Sequence, residues 1–428
     1  MSQSKIQMLF MGQILAPGLK KEASKGNGRT GLFFSAYNIL RELLMRDDVK
    51  ITIYAPAHEV QNVENFCSEA FPGYSFTFLS DCPSETLLHK YTFFVKQKVY
   101  HKKHKNIIRK AVYSCLSKIL RSYFYLHTKL NRKAFADFDL IFSPFHYCPN
   151  LGLPKYTLLH DCIPVVLPQY YPKSRGNVVK LLANIRFEDH HFSNSEATKR
   201  DFIKYCPQID PQKITVSYLA CSKHFIPAET AVIAAARKKY NIPNGKKYVF
   251  SLCTLEPRKN LIRAVKTFVK FIEKNQIDDL VFVLGGGHWK EFIGKLEAEL
   301  GNLGKYQDKI IRTGYIDDED VPPLYSGAEW FVYTSQYEGF GLPPLEAMSC
   351  GCPVITSNNS SLPEVVGEAG IMIDYDSDEQ HIKAYEDYYF NPDLRRKYSK
   401  KGLARAKEFS WAKCADQMLE TMKRNLSK

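Results

Sequence analysis

Short apolar runs alternate along the chain with longer amphipathic stretches, a pattern typical of parallel sheets flanked by helices. The candidate strands of the first half are Ile6–Met11, Lys50–Tyr54, Ser75–Phe78, Leu140–Ser143, Tyr156–His160, His191–Asn194 and Ile214–Ser217. A second series begins after Pro227 and comprises Lys247–Leu252, Leu280–Leu284, Ile310–Thr313, Trp330–Tyr333 and Pro353–Thr356. Predicted helices such as Leu261–Lys274 and Pro344–Cys350 separate the strands. The pattern predicts an α/β protein with two doubly wound sheets in series.

A length of 428 residues corresponds to two or three domains of ordinary size. We predict an N-terminal domain at 1–223, a C-terminal domain at 224–403 and a final helix at 404–428 that crosses back to the first domain. The joint is expected near Ser222–Ile226. A content of 45% hydrophobic and 13% aromatic residues excludes a mostly disordered protein.

The formal net charge of +14 is concentrated in one segment. Residues 86–136 hold 13 Lys and Arg and no Asp or Glu, which leaves 46 basic and 45 acidic residues elsewhere. A nucleic-acid-wrapping protein would carry its charge more widely, so no nucleic acid partner is expected.

This basic insert has its own periodicity. Its apolar residues form one stripe at helical spacing between Lys105 and Leu130. Two interpretations stay open: a helix packed on its own domain, or a surface that docks on anionic lipid headgroups. The residues that would contact the membrane or the acceptor are Lys102, Lys103, Lys105, Arg109 and Lys110.

The 11 cysteines form no C-x-x-C pair, which indicates free thiols in a reducing compartment. We find no apolar run of about 20 residues and no pattern of a cleaved leader. These features predict a cytoplasmic protein that contacts membranes only at their surface.

The most informative motif is Tyr337-Glu338-Gly339-Phe340-Gly341-Leu342-Pro343-Pro344-Leu345-Glu346. Glu338 is predicted in the loop after the strand Trp330–Tyr333, and Glu346 in a helix whose first turn accommodates the two prolines. Helix N-termini bind anions, glycines allow close approach, and carboxylates accept hydrogen bonds from vicinal hydroxyls. The combination favours a sugar diphosphate as ligand.

Glu338 and Glu346 resemble the E-x7-E motif of the retaining GT-B glycosyltransferases of family 4. Other segments are similar to that family in the same order along the chain: His160-Asp161-Cys162-Ile163-Pro164, Ser193-Asn194-Ser195-Glu196-Ala197-Thr198, Cys253-Thr254-Leu255-Glu256-Pro257-Arg258-Lys259-Asn260, Gly285-Gly286-Gly287, Gly314-Tyr315-Ile316 and Leu362-Pro363-Glu364. Cys253 departs from the pattern, because the family usually has glycine there.

The resemblance implies two Rossmann-like domains that face each other across a cleft, and a nucleotide-sugar donor. Arg258 and Lys259 would bind the donor diphosphate, Glu346 the ribose, and Glu338 and His160 the reacting sugar. The other implied donor-site residues are Gly31, Tyr315, Ile316, Gly339, Phe340, Gly341 and Leu342. Core packing remains an alternative for Tyr315, Ile316 and His160, and an ordinary turn remains one for Gly31.

The implied activity is retaining transfer without a metal or other cofactor. Two D-x-D sequences between Asp374 and Asp378 are interpreted as acidic turns. The nearest subgroup comprises lipopolysaccharide and capsule mannosyltransferases, which favours GDP-mannose over UDP-linked donors. We expect a lipid-linked glycan acceptor at the inner face of the plasma membrane. Two alternatives stay open: a soluble transferase with a protein or small-molecule acceptor, and an inactive sugar-nucleotide-binding subunit.

Overall fold

A computed structural model describes residues 5–19, 31–56, 59–80, 135–145, 148, 151–172, 174–183, 185–287, 294, 298–299, 301 and 303–427. Within these residues the chain forms two parallel sheets, one in each half. The basic insert lies almost wholly outside the described residues, as do the five residues proposed to contact the membrane: Lys102, Lys103, Lys105, Arg109 and Lys110.

The first sheet contains seven strands in the order β3-β2-β1-β4-β5-β6-β7, and every neighbouring pair is parallel. The strands are β1 Ile6–Met11, β2 Val49–Ala55, β3 Thr77–Ser80, β4 Leu140–Ser143, β5 Lys155–Leu159, β6 His190–Ser193 and β7 Ile214–Val216. Strands β1 and β4 are buried almost throughout, as expected for a sheet covered on both faces.

The second sheet contains six strands in the order β10-β9-β8-β11-β12-β13, again all parallel. The strands are β8 Lys247–Leu252, β9 Leu280–Gly285, β10 Ile310–Gly314, β11 Trp330–Tyr333, β12 Val354–Ser357 and β13 Ile371–Ile373. The strand order reverses between β8 and β11, and this reversal determines where a ligand can bind.

Helices connect the strands. They are α1 Gly31–Leu44, α2 Val60–Ala70, α3 Ile163–Val166, α4 Arg175–Leu182, α5 Glu196–Tyr205, α6 Thr230–Lys239, α7 Leu261–Lys274, α8 Val321–Ser326, α9 Leu342–Ser349, α10 Leu362–Val366, α11 Asp378–Phe390, α12 Pro392–Ala406 and α13 Trp411–Leu426. Short 3-10 segments add Gln13–Leu19, Pro211–Lys213, Pro257–Lys259, Gly304–Lys309 and Gly367–Ala369.

The prediction of two doubly wound parallel sheets is confirmed, and most of the predicted strands agree with the structure within two residues. Strand β13, Ile371–Ile373, was not among the predicted strands. The final helix predicted at 404–428 begins at Trp411 in the structure, because the chain turns between α12 and α13.

The last helix, α13, packs against α1 of the first sheet's domain. Arg46, two residues after α1, donates to Asp416 at 2.6 Å, and Ser217 Oγ donates to the carbonyl of Cys414 at 3.1 Å. Trp411 and Met418 are buried on the inner side of this helix. The chain therefore passes from the first sheet's domain to the second and then returns.

None of the helices in the described ranges is long and apolar enough to cross a bilayer. The nine cysteines in those ranges are free thiols, and most are buried. Burial raises the pKa of Cys253 to about 12, so this thiol is neutral at physiological pH.

Candidate active site

The site lies where the strand order of the second sheet reverses. The chain leaves β8 and β11 in opposite directions, so their following loops separate at the carboxyl edge of the sheet. Such a switch point is where open α/β sheets bind ligands. One loop carries Arg258 and Lys259, and the other carries Glu338.

Glu338 forms a buried ion cluster with both cations. Its Oε1 lies 2.7 Å from Lys259 Nζ and 2.7 Å from Arg258 Nη1, and the residue is only 7% exposed. Burial alone would raise the pKa of Glu338, but the charges of Arg258 and Lys259 outweigh it and lower the pKa to about 2. The carboxylate is therefore ionised throughout the physiological pH range.

Arg258 is held by further partners around its guanidinium. Its Nη2 donates to Glu256 Oε1 at 2.5 Å, its Nη1 to the carbonyl of Tyr337 at 2.5 Å, and its Nε to Tyr171 Oη at 2.9 Å. Burial alone would lower the pKa of Arg258, but Glu338 and Glu256 raise it well above its ordinary value. The side chain is a permanently charged group with a fixed orientation.

Lys259 is the second fixed cation. Its Nζ donates to Tyr333 Oη at 2.5 Å as well as to Glu338. Tyr333 comes from β11, so the lysine is anchored on the same strand that leads to Glu338. Together the two side chains place two positive charges at the edge of the cleft.

The glycines of the loop from Gly339 to Leu342 are required by its geometry. Gly341 has φ +110° at the N-cap of α9, and a Cβ there would meet Leu362 Cδ2 at 2.8 Å. Pro343 and Pro344 occupy the first turn of α9, as predicted, where a missing N–H costs nothing. Gly351, with φ +75°, follows the end of the helix.

Glu346 projects from α9 in a setting different from that of Glu338. Tyr325 Oη donates to Glu346 Oε2 at 3.3 Å. Burial raises the pKa of Glu346 to about 7, an effect that the Tyr325 hydrogen bond only partly offsets. The carboxyl group is therefore close to half protonated at neutral pH, and hydroxyl groups of a ligand would favour its charged form.

The first sheet contributes His160, which directly follows β5. Its Nε2 lies 2.9 Å from the carbonyl oxygen of Pro144 and therefore donates to it. The backbone of His160 lies against the Glu338 loop, because a Cβ on Gly339 would come within 2.6 Å of the His160 carbonyl oxygen. Asp161 beside it accepts from the N–H of Ile163 at 3.0 Å, and burial raises its pKa.

Several contacts across the cleft involve residues to which the sequence analysis assigned no role. Ser195 Oγ and Thr198 Oγ1 donate to the carbonyl oxygen of Gly339 at 2.7 and 3.0 Å. Glu364 accepts from the N–H groups of Glu196 and Ala197, both at 2.7 Å. The first turn of α5 therefore joins the two domains. The dipole of α5 also stabilises the negative charge of Glu364 at this N-terminus.

Tyr337 makes another cross-domain contact. Its hydroxyl lies 2.8 and 2.7 Å from the two carboxylate oxygens of Asp201 on α5. Burial raises the pKa of Asp201 to about 6, against the lowering effect of this hydrogen bond. The residue before Glu338 is thus tied to the opposite domain.

Other predicted donor-site residues have different surroundings. Ile316 is 3% exposed and packs in the core, which matches the alternative left open for it. Tyr315 is 39% exposed beside it. The ring of Phe340 packs against Tyr218 and Phe409, and Gly31 begins α1 at the surface. Leu342 is half-buried at the start of α9.

Sequence reasoning left Glu256 without a role and did not single out Tyr171. Glu256 lies two residues before Arg258 in the family-like segment that begins at Cys253. A carboxylate so close to a predicted phosphate-binding cation could have indicated that the two side chains pair. Tyr171 contacts Arg258 across 87 positions of sequence. Nothing in its local sequence indicated that pairing.

Comparison with known proteins gives a consistent result. The family described as "Glycosyl transferases group 1" matches residues 232–405. The O-antigen chain mannosyltransferase B of Escherichia coli is 33% identical over 310 residues, covering 71% of this chain and 80% of that protein. The serotype-specific mannosyltransferase WbdA of Escherichia coli is 28% identical over 282 residues, and the match spans 65% of this chain and 34% of WbdA.

Solved structures support the fold. Anabaena Alr3699/HepE, in complex with UDP and glucose, superposes with a TM-score of 0.67 at 16% identity over 98% of this chain and 100% of its own. WaaG, a glycosyltransferase involved in lipopolysaccharide biosynthesis, gives 0.62 at 14% identity over 97% and 99%.

The two α/β domains and their similarity to these solved structures define the fold as GT-B. Identity to the O-antigen mannosyltransferase over most of both chains, together with the family match, takes this further. The chain belongs to the group 1 glycosyltransferases.

Proposed function

We propose that this protein is a metal-independent, retaining mannosyltransferase of glycosyltransferase family 4 that uses GDP-mannose to extend a lipid-linked glycan of a surface polysaccharide. The observation that carries the reaction is the pair of fixed cations, Arg258 and Lys259, against Glu338 at the switch point. The similarity to O-antigen mannosyltransferases supports the sugar and the acceptor class.

The chemistry follows from the charges. When the bond between the sugar's anomeric carbon and the diphosphate breaks, negative charge develops on the departing oxygen. Arg258 and Lys259 would stabilise that charge without needing to reorganise, because their partners already hold them. In this proposal the two side chains supply the positive charge that a metal ion supplies in other transferases.

In the retaining reaction the acceptor hydroxyl attacks from the face that the diphosphate leaves. The new carbon–oxygen bond forms there, and the acceptor's proton passes to the departing phosphate oxygen. Two other carboxyl groups near the cluster are already engaged: Glu256 with Arg258, and Asp161 with the N–H of Ile163. Glu338, which stays ionised, would stabilise positive charge at the anomeric carbon.

The activity is tested with the full chain, radiolabelled GDP-mannose and polyprenyl-diphosphate-linked glycan in the presence of EDTA. We expect labelled lipid-linked product with the anomeric configuration of the donor, at a rate unchanged by the chelator. Loss of activity in EDTA that added Mg²⁺ restores would contradict the metal-independent mechanism. Inverted product would contradict the retaining one. Transfer to a soluble acceptor but not to the lipid-linked glycan would favour the alternative acceptor class.

Membrane contact through the basic insert is a separate part of the proposal. Neutralising Lys102, Lys103, Lys105, Arg109 and Lys110 should weaken cosedimentation with vesicles containing anionic lipid by about tenfold or more, because each cation near such a surface contributes on the order of 1 kcal/mol. The matched control removes the same charge from five exposed lysines elsewhere: Lys238, Lys397, Lys400, Lys407 and Lys413. Equal losses in the two variants would contradict a specific role of the insert.

A further inference from the structure

Tyr171 reaches from the N-terminal domain to Arg258 in the C-terminal domain. It lies between α3 and α4, and its hydroxyl accepts from Arg258 Nε at 2.9 Å. The same hydroxyl donates to Glu256 Oε2 at 2.8 Å. One phenol therefore contacts both a proposed phosphate-binding cation and that cation's counter-ion.

These three groups form a closed ring of hydrogen bonds. The second oxygen of Glu256, Oε1, accepts from Arg258 Nη2 at 2.5 Å, which completes the ring. Glu256 and Arg258 are 8% and 7% exposed, so the ring is largely shielded from water. Burial raises the pKa of Tyr171 well above its ordinary value, and the phenol therefore keeps its proton at neutral pH.

The ring fixes the direction of the guanidinium. A guanidinium has five N–H donors in one plane. Each nitrogen of Arg258 has its own partner: Nε has Tyr171, Nη2 has Glu256, and Nη1 has the carbonyl of Tyr337. Nη1 also contacts Glu338. The plane of Arg258 is thereby set toward the loop where the sugar would react. Without the Tyr171 hydroxyl, Nε would lose its acceptor, and only the contacts of Nη1 and Nη2 would hold the plane.

We propose that Tyr171 and Glu256 are positioning residues that orient Arg258 for the diphosphate of the nucleotide-sugar donor. Because Tyr171 belongs to the opposite domain, this diphosphate site is complete only when the two domains are closed. The inference rests on the proposed function, in which Arg258 binds that diphosphate.

The chain supplies a matched control at the neighbouring position. Tyr170 Oη donates to Gln336 Oε1 at 2.9 Å, a cross-domain hydrogen bond of similar length that does not involve Arg258. Tyr170→Phe and Tyr171→Phe therefore each remove a hydroxyl that bonds across the domains, and only the second removes a partner of the guanidinium. A general loosening of the domains would affect both variants alike.

The experiment compares the affinity of each full-length variant for GDP and for GMP by titration calorimetry. Tyr171→Phe should weaken GDP binding about tenfold and reduce the preference for GDP over GMP, because a hydrogen bond to a charged group is lost. Tyr170→Phe should keep the preference of the natural protein. Equal effects of the two substitutions on that preference would overturn the proposal.

Kinetics separate positioning from folding. Tyr171→Phe should raise the KM for the nucleotide sugar and lower kcat while leaving the KM for the acceptor unchanged. Glu256→Gln, which keeps an acceptor oxygen, should lose less activity than Glu256→Ala. Parallel losses in both KM values, or no difference between Gln and Ala, would contradict the proposal.

Inorganic pyrophosphate separates this inference from the donor assignment. If the natural protein binds pyrophosphate more tightly than Tyr171→Phe does but transfers no mannose, the positioning role stands and the proposed donor is wrong. If Tyr171→Phe binds pyrophosphate as tightly as the natural protein does, the positioning role is wrong whatever the donor.

Discussion

Replacing Glu338 with Gln is expected to lower kcat by on the order of 100-fold to 1,000-fold, the usual effect of removing one preorganised electrostatic group. The same substitution should leave GDP binding equal or tighter. Glu338 is an anion that already occupies Arg258 and Lys259, so its neutralisation frees both cations for a diphosphate. Single-turnover rates and calorimetric affinities measure the two effects separately.

The Glu338 variant should also be less stable, because it removes the charge that pairs with Lys259 and one of the two carboxylates that pair with Arg258. Removing one partner of a buried ion pair costs about 3–5 kcal/mol. We expect a lower melting temperature with an unchanged far-ultraviolet circular dichroism spectrum. Glu368→Gln is the matched control, because the Glu368 side chain is 96% exposed. Its carboxylate forms one long ion pair, at 3.6 Å from Lys401 Nζ. Full activity of Glu338→Gln would contradict the site assignment.

Lys259→Met should change GDP binding in the opposite direction from Glu338→Gln. It should abolish transfer and also weaken GDP binding, because it removes a cation instead of the anion that competes with the ligand. A Lys259→Met protein that binds GDP as tightly as Glu338→Gln does would show that the lysine does not contact the diphosphate.

Gly339→Ala is expected to separate the two domains at the cleft and to reduce activity by tenfold or more, by the general sensitivity of catalysis to small misplacements. An added Cβ would lie 2.6 Å from the carbonyl oxygen of His160 and 2.8 Å from Asp161 Cβ, and neither atom is at the end of a flexible side chain. Small-angle scattering should detect a more open molecule, while each domain keeps its own core.

The control for this substitution is Gly176→Ala, since a Cβ at Gly176 on α4 meets nothing within 4 Å. This variant should keep full activity. If Gly339→Ala also kept full activity and an unchanged scattering profile, the close approach of the domains at Gly339 would not be needed for transfer.

Local sequence carried enough information to predict the strands and the positions of the two motif carboxylates. Alternation of apolar runs located most of the strands, since buried parallel strands are continuously apolar. The adjacent prolines and flanking glycines placed Glu338 in a loop and Glu346 in α9, as the structure has them. These features depend on neighbouring residues in the chain.

The contacts that hold the site together depend on residues far apart in the chain. Tyr171 lies 85 positions from Glu256, and Asp201 lies 136 positions from Tyr337. Glu364 contacts α5 across 168 positions. Single-sequence patterns report burial and local conformation, so they gave no indication of these pairings.

The return of the last helix to the first domain constrains how the enzyme can release its product. The polypeptide joins the two domains twice, once after β7 and again between α12 and α13. A hydrogen bond from Ser217 Oγ to the carbonyl oxygen of Cys414 connects the two crossings. Because the two domains are attached at both crossings, their easiest relative motion is a rotation about the line that joins the crossings. Each catalytic cycle should therefore include a hinge rotation of the two domains about this line. The cleft would open on the side away from the two crossings, and the domains would stay in contact beside the crossings.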